Sequence, residues 1–360
     1  MDAAPGTSAW SRLAGLELVV ERCEARHLEA DAGAFGRRVT TEIVLHGEGE
    51  EGVGEEIGGP GPEPHEALRR LVPGLPLAGR YTLATFCDHA AALDVWPEPP
   101  QWELMRSFRR YAFESAALDL ALRQAGLPLH EALGREPRPL RFVNSLGLGE
   151  QPDVQTVLGR VAAYPDLRFK LDAHPAWTPQ IVDALVATHA VDVIDFKGCY
   201  GLEVTDEPAL LRLYERLLPA FPDALVEDPH PLEPVTALLA GHERRVSYDA
   251  LIRSAADLAT TPVRVRTINV KPTRIGSLRT LFELYAHCEA QDIAMYGGGM
   301  GELGVGRGQI QLLAALHHPD GSNDVAPSAY NAPALAADLA TSPLDPRPAP
   351  TGFQRAPAPS

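Results

Sequence analysis

Three carboxylates and three lysines carry the chemistry that this sequence can support. Asp195, Glu227, Asp249 and Lys271 follow one another at gaps of 32, 22 and 22 residues. Lys170 and Lys197 are the only other lysines in the 360-residue chain, where 29 of the 32 basic residues are arginine. All six close short apolar runs: FKLDAH (169–174), IDFKG (194–198), VEDPH (226–230), SYDA (247–250) and NVKP (269–272). Carboxylates at the ends of adjacent strands stand about 4.8 Å apart and repel unless a cation sits among them. Hard oxygen donors with positions left for water suit Mg²⁺, with Mn²⁺ as a substitute. A lysine desolvated beside a cation gives up its proton more readily and becomes a general base near neutral pH. Lysines opposed around a metal suit removal of the proton next to a carboxylate. The metal stabilises an enediolate, and the lysines take and return protons.

These residues need a frame that brings strand ends together. From residue 138 onward, apolar runs recur every 20 to 30 residues at 140–146, 167–171, 191–196, 224–226, 246–248, 267–270, 293–296 and 324–326. Helical patterns fill most gaps, at 154–163, 179–189, 207–218, 277–290 and 305–317. Eight such units predict an α/β fold, a (β/α)8 TIM-like barrel with its chemistry at the C-terminal strand ends. An open doubly wound sheet is the alternative. The first 135 residues read as a smaller α+β capping domain. In it, Leu16–Cys23 and Val39–Leu45 form a hairpin, the Gly/Glu-rich stretch His46–Glu56 is a solvated loop, and Phe108–Gly126 is a helix. The predicted division is a cap over 1–135, a barrel over 136–331 and a returning tail over 332–360.

Composition removes several functions. A net charge of −16 without a basic cluster argues against nucleic acid. No apolar run reaches membrane-spanning length, and the N-terminus lacks the basic-then-apolar order of a secretory signal. Four scattered cysteines read as reduced thiols of a cytoplasmic protein. Asp172, His174, His230, Gly298 and Glu302 lie at or just past strand ends and are candidates for contacting substrate. Gly299-x-Gly301-x-x-Gly304 fits a dinucleotide fingerprint, but no strand end about 20 residues on supplies the acid that would bind the ribose. The glycines are better explained by a close approach of this loop to substrate. Arg274 and Arg307 are set aside as surface residues among many arginines.

The ordered set Asp195, Glu227, Asp249 and Lys271 resembles the enolase superfamily, in its muconate-lactonizing enzyme/mandelate racemase-like branch. HGEGEEGVGEE (46–56) resembles that family's capping signature, and FESAALDLALRQAGLPLHEALG (113–134) resembles its linking helix. The resemblance implies a Mg²⁺-dependent isomerase or lyase. Such an enzyme abstracts the α-proton of a small carboxylate substrate, with racemisation, epimerisation, cycloisomerisation or dehydration as the outcome. The expected assembly is a homo-oligomer. Two positions depart from the family pattern. Its Lys-x-Lys appears as Lys170-Leu171-Asp172, and its Asp-x-Asn appears as Asp195-Phe196-Lys197. Either Lys197 has taken over the base role, or it pairs with Asp172 and stays protonated. A Schiff-base lysine aldolase on a barrel and a degenerate, non-catalytic member of the family are the alternatives.

Overall fold

The structure is a computed structural model and describes residues 9–31, 36–59, 61–96, 98–201 and 203–357. Its N-terminal part holds β1 (Glu17–Val20), β2 (Arg22–Asp31), β3 (Arg37–Gly47), β4 (Glu50–Glu56) and β5 (Gly79–Thr82). β2, β3 and β4 form an antiparallel meander, and β1 pairs with β5.

Two expectations for this part are corrected. The predicted hairpin between 16–23 and 39–45 does not form as drawn: its first run breaks at Glu21, so that β1 joins β5 and only β2 joins β3. The stretch 46–56 is the end of β3, a tight turn at 48–49 and β4 rather than a solvated loop, and Glu55 and Glu56 are buried. The glycines that made it read as a loop have a packing cause. Helix Leu104–Gln124 lies across β4, and a Cβ on Gly52 or Gly54 would run into the backbone at Ala112, Ala116 and Leu120.

That helix also carries a buried junction. Asp119 accepts hydrogen bonds from Val53 N at 3.0 Å, Phe353 N at 2.6 Å and Gln354 Nε2 at 2.7 Å. It thereby ties β4 and the C-terminal segment to the helix, and the tail accordingly returns and packs, with Phe353 buried. Asp119→Ala would leave buried donors unpaired and is expected to cost about 3 kcal/mol of stability. Denaturant unfolding checks this, and a loss within 0.5 kcal/mol, about the size of an ordinary surface change, would refute the junction's role.

The barrel strands are β6 (Val143–Gly147), β7 (Arg168–Asp172), β8 (Val191–Asp195), β9 (Leu225–Glu227), β10 (Val246–Tyr248), β11 (Thr267–Val270) and β12 (Ala294–Gly297). They are parallel and lie side by side in chain order. The expected eighth strand is reduced to two residues. Asn323 bridges Phe142 ahead of β6, and Asp324 bridges Gly298 after β12, so the two edges meet through them. Helices 155–163, 179–187, 207–220, 278–290 and 305–317 follow their strands as the periodicity predicts. The unit after β10 has only a 3₁₀ turn, Ala255–Ala259. Among the described residues, no helix is long and apolar enough to cross a membrane.

The cap reaches the barrel mouth through Glu55 and Arg38 among other contacts. Glu55 accepts the backbone N–H groups of Leu303, Gly304 and Gly306, at the start of helix Val305–His317. Arg38, on β3, donates from Nε to Gly301 O at 2.8 Å and from Nη2 to Met300 O. The resemblance implies that residues 26–38 close over the mouth, and 32–35 of these lie outside the described residues.

Candidate active site

Register sets the first row of the site. Asp172 pairs with Asp195, and Asp195 with Glu227, across β7, β8 and β9. The chain turns just past each of these ends, and two turn residues, Lys197 (φ 55°) and Asp228 (φ 44°), lie in the left-handed region. That conformation costs a residue with a Cβ about 1–2 kcal/mol, and asparagine tolerates it better than lysine. A lysine held there is therefore a candidate for function.

Asp195, Glu227 and Asp249 are each buried against a cation, and the half-exposed Asp172 faces one. Lys170 Nζ contacts Glu227 Oε1 and lies 3.0 Å from Asp195 Oδ2 and 3.8 Å from Asp324 Oδ2. Lys197 Nζ lies 2.5 Å from Asp195 Oδ2 and 3.1 Å from Asp172 Oδ1. On the far side, Lys271 Nζ lies 2.8 Å from Asp249 Oδ2. That same oxygen takes the Tyr200 hydroxyl at 3.0 Å and faces Arg274 Nη2 at 3.4 Å. Glu227 Oε2 accepts from Tyr296 Oη at 2.5 Å, and Oε1 also accepts from Asn269 Nδ2 at 3.2 Å.

Electrostatics follow from this packing. Burial works against the Lys170 ammonium, yet Asp195 and Glu227 hold its pKa well above that of a free lysine. Lys197 is likewise raised against burial, chiefly by Asp195. Burial opposes ionisation of Asp249 as well, but Lys271 and then Arg274 keep its carboxyl low. Glu227 goes the other way. Burial pushes its carboxyl up to about 7 against the pull of Lys170, and the charges of Asp195 and Asp249 add to the rise.

The donor set fits a hard divalent cation. Asp195, Glu227 and Asp228 each offer an oxygen, and these oxygens lie within 4.8 Å of one another. Asp228, however, is engaged by the backbone N–H groups of Asp249 at 2.8 Å and Ala250 at 3.0 Å, which makes it a support for the turn after β10. Asp249 instead keeps Oδ1 buried with no hydrogen-bond partner among the described residues, an acceptor that a cation would satisfy.

The three lysines and Asp172 line one cavity of about 260 Å³, together with Arg38, Tyr200, Arg274, Arg307 and Asp324. Gly298 abuts it, since a Cβ there would stand 2.5 Å from Lys271 Cε. Glu302 lies behind the wall, buried, 3.4 Å from Arg307 Nη2. His174 and His230 are outside the lining. His174 accepts from Ala176 N at 3.2 Å, and His230 Nδ1 lies 3.1 Å from the Tyr214 hydroxyl. Arg274, expected at the surface, is buried against Asp249, and Arg307 lines the cavity. Sequence reasoning passed over Asp228, Tyr200, Asn269 and Tyr296. Strand alternation would have found two of these, because Asn269 and Tyr296 each stand two residues before a site residue. Tyr200 sits in an irregular loop that carries no periodic signal.

Residues 136–332 match the family model described as the C-terminal domain of a domain of unknown function, DUF8230, and residues 11–132 match its N-terminal domain. The chain belongs to the DUF8230 family. An o-succinylbenzoate synthase of Geobacillus stearothermophilus is 28% identical to this DUF8230 chain over 232 residues, 61% of this chain and 59% of that protein. The match thus spans about three fifths of that relative's length. An N-succinylamino acid racemase of Thermus thermophilus is 28% identical over 309 residues, 80% of this chain and 78% of that protein. The solved dipeptide epimerase from Methylococcus capsulatus, complexed with a Mg ion, superposes with a TM-score of 0.64 at 20% identity, covering 85% of this chain and 90% of that one.

Proposed function

We propose that this DUF8230 protein is a Mg²⁺-dependent isomerase or lyase that removes the α-proton of a small carboxylate substrate. The observation that carries the reading is the buried row of Asp195, Glu227 and Asp249, flanked by Lys170 and Lys197 on one side and Lys271 on the other. Mn²⁺ would substitute. Residues 1–135, 136–331 and 332–360 serve as cap, catalytic barrel and returning tail.

Asp195, Glu227 and Asp249 would hold the cation. Bound there, it would supply positive charge where negative charge builds on the substrate carboxylate as the α-proton leaves. The lysines divide the remaining work by their partners. Lys170 faces three carboxylates and Lys197 two, so both remain ammonium groups. Lys170 adds fixed positive charge beside the substrate carboxylate. Among the described residues Lys271 pairs with a single carboxylate, Asp249, which Tyr200 and Arg274 also hold. Lys271 is therefore the base. Lys197, from the opposite side of the acids, is the donor that returns a proton, aligned by Asp172.

Relatives named for succinylated amino acids and for dipeptides supply the first probes. With each enantiomer of N-succinylphenylalanine in D₂O, Lys197→Ala is expected to retain exchange from the enantiomer that Lys271 deprotonates. It should lose interconversion by roughly 10²-fold or more. Interconversion at the wild-type rate in Lys197→Ala would remove the donor assignment.

A further inference from the structure

We propose that Asn331 is a substrate-binding residue of the cavity wall, and that Arg160, buried outside the cavity, is the residue that positions it. This rests on the reading above, in which the cavity holds a small carboxylate substrate.

Asn331 lines the cavity together with Ser145 of β6 and Asp324. It ends the 3₁₀ turn Ser328–Asn331, a few residues past the closing pair Asn323 and Asp324, so no strand register fixes its place. Arg160 fixes it instead. This residue belongs to helix Gln155–Ala163 and is 6% exposed. Its Nη1 donates to Tyr330 O at 2.5 Å, and its Nη2 donates to Ala332 O at 2.9 Å. One planar group therefore holds the carbonyls immediately before and after Asn331. Nη1 also donates to Asn144 Oδ1 at 2.8 Å. Strand alternation turns Asn144 towards the helix and Ser145 towards the cavity, beside its register partner Lys170. The same guanidinium thus ties the end of β6 to the turn that carries Asn331.

The charge on Arg160 serves no ion pair. Among the described residues no carboxylate joins it, and burial lowers its pKa without an opposing acid. Burying a charge in this way is costly, and an apolar side chain of similar length would fill the space without that cost. What the guanidinium adds is geometry, a rigid fork that takes three carbonyl oxygens from two chain segments. Tyr330 completes the hold. Its ring centroid lies 5.4 Å from that of Phe142 and 5.6 Å from that of Tyr164, and its hydroxyl donates to Ala340 O at 3.1 Å. The backbone on both sides of Asn331 is pinned, while its side chain brings an amide donor and acceptor to the cavity. In a lining dominated by charged groups, such a pair suits an uncharged polar group of the substrate.

The test is calorimetric titration of the Mg²⁺-loaded protein with N-succinylphenylalanine, read beside the rate of α-proton exchange at saturating substrate. Asn331→Ala and Arg160→Met are each expected to weaken binding by roughly 10-fold, about the worth of one hydrogen bond, and to leave the saturated rate within about threefold. Arg160→Lys should keep part of the affinity. The double variant separates positioning from independent effects. It is expected to bind no more than about threefold more weakly than either single variant, because both changes remove the same contact. Should Arg160→Met fail to fold, Arg160→Lys with Asn331→Ala completes the same cycle. Four results would overturn the proposal: no binding to the wild type, wild-type affinity in either single variant, losses that multiply to about 100-fold in the double variant, or an Arg160 variant that loses substrate affinity, saturated rate and Mg²⁺ affinity alike. The last would make Arg160 a structural tie and nothing more. Failure of the proton-abstraction reading is a separate outcome, in which the pattern of affinities holds but the wild type shows no α-proton exchange.

Discussion

Glu227→Gln is expected to abolish tight divalent-cation binding while the protein stays folded. Glutamine is nearly isosteric, so the packing of the β9 end survives. One oxygen that takes Lys170 and Asn269 and another that takes Tyr296 are replaced by an amide without charge. The loss is large because Glu227 stands between the other two acids. Burial raises its carboxyl, to about 7, whereas neighbouring cations keep those of Asp195 and Asp249 low. Removing several kcal/mol of charge stabilisation would lower α-proton exchange by roughly 10²- to 10⁴-fold. Mg²⁺ calorimetry and Mn²⁺ binding followed by electron spin resonance check the first part. Wild-type affinity in the variant would remove Glu227 from the ligand set.

Lys271→Ala has the second large effect. Removing a positioned base lowers proton transfer by roughly 10²- to 10⁴-fold. Cation binding should survive, because Asp249 keeps Arg274 and Tyr200 and its buried Oδ1. Retained binding with lost exchange separates this lysine from the ligands. The same variant addresses the aldolase alternative: borohydride in the presence of a carbonyl substrate should leave wild-type Lys271 unmodified, whereas a trapped adduct there would favour Schiff-base chemistry.

The strand-end residues were legible because a parallel barrel imposes a simple syntax. A buried strand is a short apolar run, and the first polar residues after it face the mouth. Asp195, Glu227, Asp249 and Lys271 each ended such a run, and counting runs put them on neighbouring strands. The same syntax hid other parts. β4 was obscured because its glycines serve the close approach of helix Leu104–Gln124, a contact that leaves no local pattern. The closing strand was overestimated because two residues, Asn323 and Asp324, suffice to bridge both edges. Arg274 was indistinguishable from surface arginines until its contact with Asp249, 25 residues away, was known. Arg38 lies 263 residues from the loop it holds, and no spacing rule joins them.

Lys197 and Asp172, the two positions that depart from the pattern the resemblance implies, meet at 3.1 Å beside the ends of β7 and β8.

In the proposed reaction a divalent cation and Lys271 together remove an α-proton at these strand ends. Proton NMR in D₂O, following the α-hydrogen of N-succinylamino acids and dipeptides, tests it most directly. Loss of the α-hydrogen signal with Mg²⁺, arrest by EDTA, recovery on adding Mg²⁺ or Mn²⁺, and no exchange in Lys271→Ala are the predicted results. Exchange that continues undiminished in EDTA, or that proceeds at the wild-type rate in Lys271→Ala, would contradict the account.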